Sequence, residues 1–187
     1  MTSPLSELPE IPPEVYESRD RGDLVLFCGA GVSVHAGCPT FGELARLVEE
    51  KFGPFGEQEQ EALTQGHFEL YLQLVENRLD AGAADGHVRR FVGKALSEDT
   101  KTTVVHESIL KLARRSDGTT RLVTTNYDRL FRTAAEKLGL DLPTDTAPRI
   151  ASPRLVGWNS LVHLHGALDG ADLRHLVLTG ADFGRAY

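Results

Sequence analysis

The sequence has little cysteine, and the little it has is badly spaced for a metal. Only Cys28 and Cys38 occur, with no Cys-x-x-Cys pair, so neither a structural zinc site nor a disulfide framework is indicated. A reduced, cytoplasmic setting is the default for such a chain. Basic charge is also scarce: 20 Lys and Arg stand against 27 Asp and Glu, a formal net charge of -7. That balance argues against direct nucleic-acid binding by this domain. No apolar run approaches the ~20 residues that a membrane span needs. The first residues are acidic and rich in proline, unlike the basic, apolar start of a signal peptide. Repeats and low-complexity tracts are absent.

What the chain does have is a short apolar run that empties into glycine. Leu24, Val25, Leu26, Phe27 and Cys28 are uninterrupted, bounded by Asp23 and by Gly29-Ala30-Gly31. Such a run suits a strand buried on both faces of a parallel sheet. Glycine leaves room for a ligand because it has no Cβ. A strand, a glycine turn and a helix start after Ser33 together make an anion site, because free N–H groups and the helix dipole point at the ligand. Of the three glycines in the dinucleotide fingerprint, Gly29 and Gly31 are in register and Val34 stands at the third position.

Around this element, residues 1–22 read as a proline-limited leader and a short helix opened by Pro13 and closed by Gly22. Thr40 with Glu43 has capping-box spacing before a helix from Phe41 to Phe52. Residues from about 55 to 100 carry helical periodicity and read as a small helical insertion, to which no catalytic residue is assigned. A helix over Val104–Arg115 precedes a second strand, Arg121–Thr124, and a helix over Leu130–Leu138 follows it. Leu140–Gly157 reads as irregular, Ser160–His165 as a third strand, and Leu176–Leu178 as a fourth. The alternation predicts an α/β fold, a three-layer Rossmann-like parallel sheet with a small helical insertion and no zinc module.

Polar groups stand at the ends of three of these strands: the glycine turn, Asn126 with Asp128, and His165. In a parallel sheet all three converge on one edge, where open α/β sheets hold ligands. Each also has a plainer role. Asn126 after a strand can close its own turn, and Asp128 and Ser33 can cap helices. A histidine before glycine can simply satisfy a neighbouring carbonyl. His163 competes with His165 on the same strand, and His106, near a helix start, reads as a cap or a surface residue.

The same residues carry a family resemblance. Phe27-Cys28-Gly29-Ala30-Gly31-Val32-Ser33, followed by Ala36-Gly37-Cys38-Pro39-Thr40-Phe41, resembles the NAD-binding loop of sirtuins. Thr124-Thr125-Asn126-Tyr127-Asp128 is similar to the sirtuin segment that holds the nicotinamide ribose. His163-Leu164-His165-Gly166 is similar to the strand end bearing the sirtuin catalytic histidine. The closest subgroup is the SIR2-like domains of bacterial anti-phage defence proteins. This resemblance implies a SIR2-like NAD-binding domain over residues 23–187 that lacks its C-terminal portion. It implies NAD+ as substrate, with Gly29, Ala30, Gly31, Ser33, Phe41, Thr125, Asn126 and Asp128 as binding residues, Asn126 and His165 as catalytic residues, and no metal.

Two departures bear on the activity. The paired zinc cysteines of sirtuin deacylases are missing, and Thr40 and Gly42 flank Phe41 where sirtuins carry aspartate and arginine. Both favour hydrolysis of NAD+ to nicotinamide and ADP-ribose over peptide deacylation. The expected roles are diphosphate on the glycine-turn amides with Ser33 donating to it, Phe41 at the nicotinamide end, and Asp128 on the carboxamide. Asn126 would hold water and a ribose hydroxyl, and His165 would take a proton. The resemblance also implies a further C-terminal sensor domain or partner protein, and assembly as a homo-oligomer. The alternatives are a non-catalytic module that binds NAD+ or ADP-ribose, an NAD-dependent deacylase or ADP-ribosyltransferase, and a Rossmann dehydrogenase. The last lacks an acidic residue at the end of a second strand about 20 residues after the glycine turn.

Overall fold

The apolar run after Asp23 becomes a strand only over its last part, Leu26–Cys28 (β1). The computed structural model describes residues 10–53, 56–80, 86–97, 102–147, 157–168 and 172–187. The leader before Glu10, the stop at Pro54 and the loop at Gly82 lie outside the described residues. Arg121–Thr124 (β2), Thr144–Thr146 (β3) and Ser160–His163 (β4) complete a sheet in the order β1-β2-β4-β3. Every pairing is parallel. The register sets Cys28 beside Thr124, Thr124 beside His163 and Thr146 beside His163, so the strands finish on one level. The fold is α/β and Rossmann-like, a parallel sheet flanked by helices.

The helices are Pro13–Arg21 (α1), Gly31–Val34 (α2), Phe41–Phe52 (α3), Glu57–Thr64 (α4), Phe68–Leu79 (α5), His87–Ser97 (α6), Val104–Ala113 (α7), Leu130–Lys137 (α8) and Gly180–Ala186 (α9). Local chemistry sets their ends. Thr40 and Glu43 form a reciprocal capping box at α3, with the Thr40 N–H donating to Glu43 Oε2 at 2.7 Å. Those bonds from Thr40 hold the Glu43 carboxyl below its usual range. Gly22 closes α1 in the left-handed conformation that glycine tolerates.

Two cores result. Leu110 of α7 and Phe131, Ala134 and Ala135 of α8 pack on Cys28, Leu122 and Leu161 of the sheet. The second core lies beyond the strand ends, where α3, α4, α5 and α6 enclose Tyr71, Leu72 and Val75 together with Tyr127, Leu176 and Leu178. The helical insertion is therefore packed onto the C-terminal edge of the sheet, which is where the site stands.

Three expectations need correction. β1 is an edge strand and is not buried on both faces: Phe27 is 64% exposed. Thr144–Thr146 is a strand although it carries no apolar run, because a short edge strand needs only backbone pairing to β4. Leu176–Leu178 is no strand. It is extended and buried, but Leu176 and Leu178 enter the helical core and its link to β4's end is the Val177 N–H donating to the His165 carbonyl at 2.9 Å.

Candidate functional site

β1 ends at Cys28 and the chain turns through Gly29 and Ala30 directly into α2. Neither Gly29 nor Gly31 has a positive φ, so backbone strain does not demand glycine at these positions. A Cβ on Gly31 would meet nothing within 4 Å. The space is open, and among the described residues the Ala30 and Gly31 N–H groups find no backbone acceptor. Open room beside free amides is what an anion requires.

β2 ends at Thr124, and its extension supplies the next groups. Thr124 Oγ1 accepts the Asn126 N–H at 3.0 Å and donates to the Cys28 carbonyl at 3.1 Å, which ties the turn after β2 to β1. Asn126 Nδ2 donates to the Gly29 carbonyl at 3.1 Å and to Ser33 Oγ at 3.0 Å. A carbonyl can only accept, so the amide's orientation is fixed with nitrogen toward Gly29. Both amide hydrogens are thereby committed, and the group Asn126 has left for a ligand is its oxygen, an acceptor. The expected double role, donor and acceptor at once, is reduced to one.

Asp128 is buried and accepts twice, from the Leu130 N–H at 3.0 Å through Oδ1 and from Ser33 Oγ at 2.8 Å through Oδ2. Its helix-end role and its place in the site thus coexist. Ser33 is 1% exposed and also meets His106 Nε2 at 3.2 Å. Its single proton goes to Asp128, so donation to a diphosphate would require that bond to break.

β4 ends at His163, and the chain then bends away at Leu164 and His165. His163 is buried, with Nδ1 2.9 Å from the Asn126 carbonyl. His165 is half-buried and lies edge-on to Phe183 of α9, with ring centroids 5.2 Å apart. Its Nε2 is 2.9 Å from the Tyr187 hydroxyl. Gly166 lets this bend happen: φ is +87° and a Cβ would stand 2.8 Å from the His175 carbonyl oxygen.

These groups line one cleft of about 600 Å³, part of it open to solvent. Ala30, Ser33, Phe41, Thr125, Asn126, Asp128 and His165 all face it. Gly29 and Gly31 do not line it, and of that turn only Ala30 faces it. The helical insertion, expected to be structural alone, supplies the wall residue Leu96, and α9 supplies Phe183.

His106 was expected at a cap or the surface and is instead fully buried, its ring edge-on to Phe131 at 4.7 Å. The signal was present: His106, Leu110 and Ala113 share one face of α7, and the last two are core. Burial pushes the imidazoles of His106 and His165 below their ordinary value of 6.5, with Asp128 opposing the shift at His106. The unfolded chain then binds protons more readily than the folded one as pH falls through about 6.5. Stability present above that pH is expected to decline below it. Urea midpoints measured from pH 8 to pH 5 check this, and replacing His106 with glutamine should flatten the decline.

Among the described residues, no three His, Cys, Asp or Glu side chains stand together as a metal site, and no helix is long and apolar enough to cross a membrane.

Similarity to known proteins agrees with this geometry. The chain is 31% identical to the uncharacterized protein y4cA of Sinorhizobium fredii over 206 residues, which is 96% of this chain and 16% of that protein. It is 29% identical to defense-associated sirtuin 2 of Bacillus subtilis over 126 residues, 67% of this chain and 11% of that one. The chain thus spans only a small part of the length of the curated relatives it matches. Residues 120–187, which carry β2, the Asn126–Asp128 turn, β4 with His165, and α9, match the family model of the SIR2-like domain.

Proposed function

We propose that the domain hydrolyses NAD+ to nicotinamide and ADP-ribose. The observation that carries this reading is the meeting of Asn126, Asp128 and His165 in one cleft beside the open glycine turn. The turn's free amides suit the diphosphate. The Asp128 carboxylate suits the carboxamide N–H groups and complements the cationic nicotinamide ring. Phe41 and Leu44 give the ring an apolar wall.

In the reaction, the bond between ribose C1′ and the ring nitrogen breaks and nicotinamide leaves with the electron pair. A water oxygen bonds to C1′, and its proton passes to His165. Asn126 Oδ1 accepts from that water or from a ribose hydroxyl, placing lone-pair density beside a sugar that develops positive charge. The tautomer in which Nε2–H donates to the Tyr187 oxygen, 2.9 Å away, leaves His165 Nδ1 as the basic nitrogen.

The defence name of the Bacillus relative and the length of both relatives support a wider setting. In that setting residues 23–187 form the NAD+-consuming effector domain of a bacterial anti-phage system. Further chain or a partner protein senses infection, and the domain works in a homo-oligomer.

The test is incubation of the longest soluble form of the protein with NAD+, with nicotinamide and ADP-ribose quantified by chromatography. Equal release of both is expected. Asn126→Ala, checked for folding by thermal unfolding, should release nicotinamide about 10²–10³-fold more slowly. NAD+ bound in calorimetry without nicotinamide release would make the domain a binding module instead.

A further inference from the structure

His106 stands outside the cleft lining, yet it closes the hydrogen-bond network that holds the two cleft residues Asn126 and Asp128. The Ser33 hydroxyl has one proton and two lone pairs. Asp128 Oδ2, at 2.8 Å, can only accept, so it takes the proton. Asn126 Nδ2, at 3.0 Å, can only donate, so it takes one lone pair. The remaining contact is His106 Nε2 at 3.2 Å, and the remaining vacancy is a lone pair. His106 must therefore donate, which places its proton on Nε2.

The other ring nitrogen agrees. His106 Nδ1 is buried with no hydrogen-bond partner among the described residues. As a bare lone pair in a neutral ring it leaves one acceptor unmet; as an N–H it would leave a donor unmet and, with Nε2 protonated, a charge buried against Phe131. We propose that His106 is a positioning residue: its Nε2–H saturates Ser33, which points the serine proton at Asp128 and holds the Asn126 amide with its oxygen left for substrate.

The consequence is one of precision. Ser33 without this donor has an unmet lone pair on a residue only 1% exposed, and its hydroxyl and the Asn126 amide can both rotate. A displacement of about 1 Å in a group that orients the reacting atoms costs up to about a hundredfold in rate. The inference rests on the NAD+ hydrolysis reading only for its kinetic consequence. The tautomer and the hydrogen bonds can be read without any turnover.

The experiment uses the full chain with ¹⁵N-labelled histidine and asparagine. The wild type at pH 7 should show His106 as the neutral Nε2–H tautomer and the Asn126 side-chain amide protons protected from solvent exchange. His106→Phe, which removes the donor, should speed that exchange by tenfold or more and lower kcat for nicotinamide release, with KM for NAD+ changed less than twofold. His106→Gln presents an N–H at similar reach and should restore both. An Nδ1–H tautomer or an imidazolium in the wild type would overturn the proposal, as would unchanged exchange in a folded His106→Phe. A wild type with the expected tautomer and protection but no nicotinamide release would refute NAD+ hydrolysis and leave the positioning assignment standing.

Discussion

Replacing Arg89 with methionine is expected to cost about 3 kcal/mol of stability, because it removes the buried cation that joins the half-buried Glu76 carboxylate to the buried Asp182 carboxylate. Arg89 lies on α6 and is 8% exposed. Its Nε and Nη2 donate to the two Glu76 oxygens at 2.7 and 3.1 Å, and Nη2 also reaches Asp182 Oδ2 at 2.5 Å. Nη1 donates to the Leu176 carbonyl at 2.7 Å. Burial works against the Asp182 charge, but donation from the Thr179 backbone, Arg89 and Leu178 holds its carboxyl below the usual range. Methionine matches the length of the arginine stem and none of its donors. Urea unfolding should show the midpoint move strongly down, and a cycle with Asp182→Asn should show coupling of the two sites. A loss under about 1 kcal/mol would mean the pair sits in far more water than its burial implies.

The same ion cluster explains why the helical insertion matters to the site. Asp182 is the third residue of α9 and completes its capping box with Thr179. α9 carries Phe183 and leads to Tyr187, and both touch His165. Tyr127, in the turn after β2, donates to the Val177 carbonyl at 2.7 Å and so fastens the same segment from the sheet side. Arg89 therefore links the insertion to the wall of the cleft, over a sequence gap that no local pattern spans.

That gap marks what could be read in the sequence and what could not. Signals that act within a few residues were legible: the Thr40–Glu43 capping box, the helix-closing Gly22, and apolar strands at Leu122 and Leu161. The parallel sheet followed from those strands alternating with helices. The convergence of Asn126, Asp128 and His165 then followed from the sheet, since parallel strands bring their ends to one edge. Features held by distant partners were not legible. The strand at Thr144–Thr146 has no apolar residue and exists through pairing with β4. Leu176–Leu178 has the composition of a strand, but the insertion's core takes its side chains first. The commitment of the Asn126 amide to Gly29 and Ser33 depends on atoms that only the fold juxtaposes.

Replacing His165 with alanine should lower nicotinamide release about 10²–10⁴-fold, the range for loss of a general base. The pH profile gives this prediction its shape. Burial lowers the His165 imidazole from its ordinary 6.5, so the neutral, proton-accepting form persists below that pH. The wild-type rate should stay level from pH 8 down through 6.5 and fall only on further acidification. The residual rate of His165→Ala should have no such acid limb, and added imidazole should recover part of the lost turnover. His163→Ala must be compared beside it, because that ring is two residues away. Its Nδ1 is engaged with the Asn126 carbonyl, and it is buried outside the cleft lining. A folded His163→Ala is expected to retain the acid limb that His165→Ala loses. If the limb disappears with His163 and survives without His165, the base has been assigned to the wrong histidine.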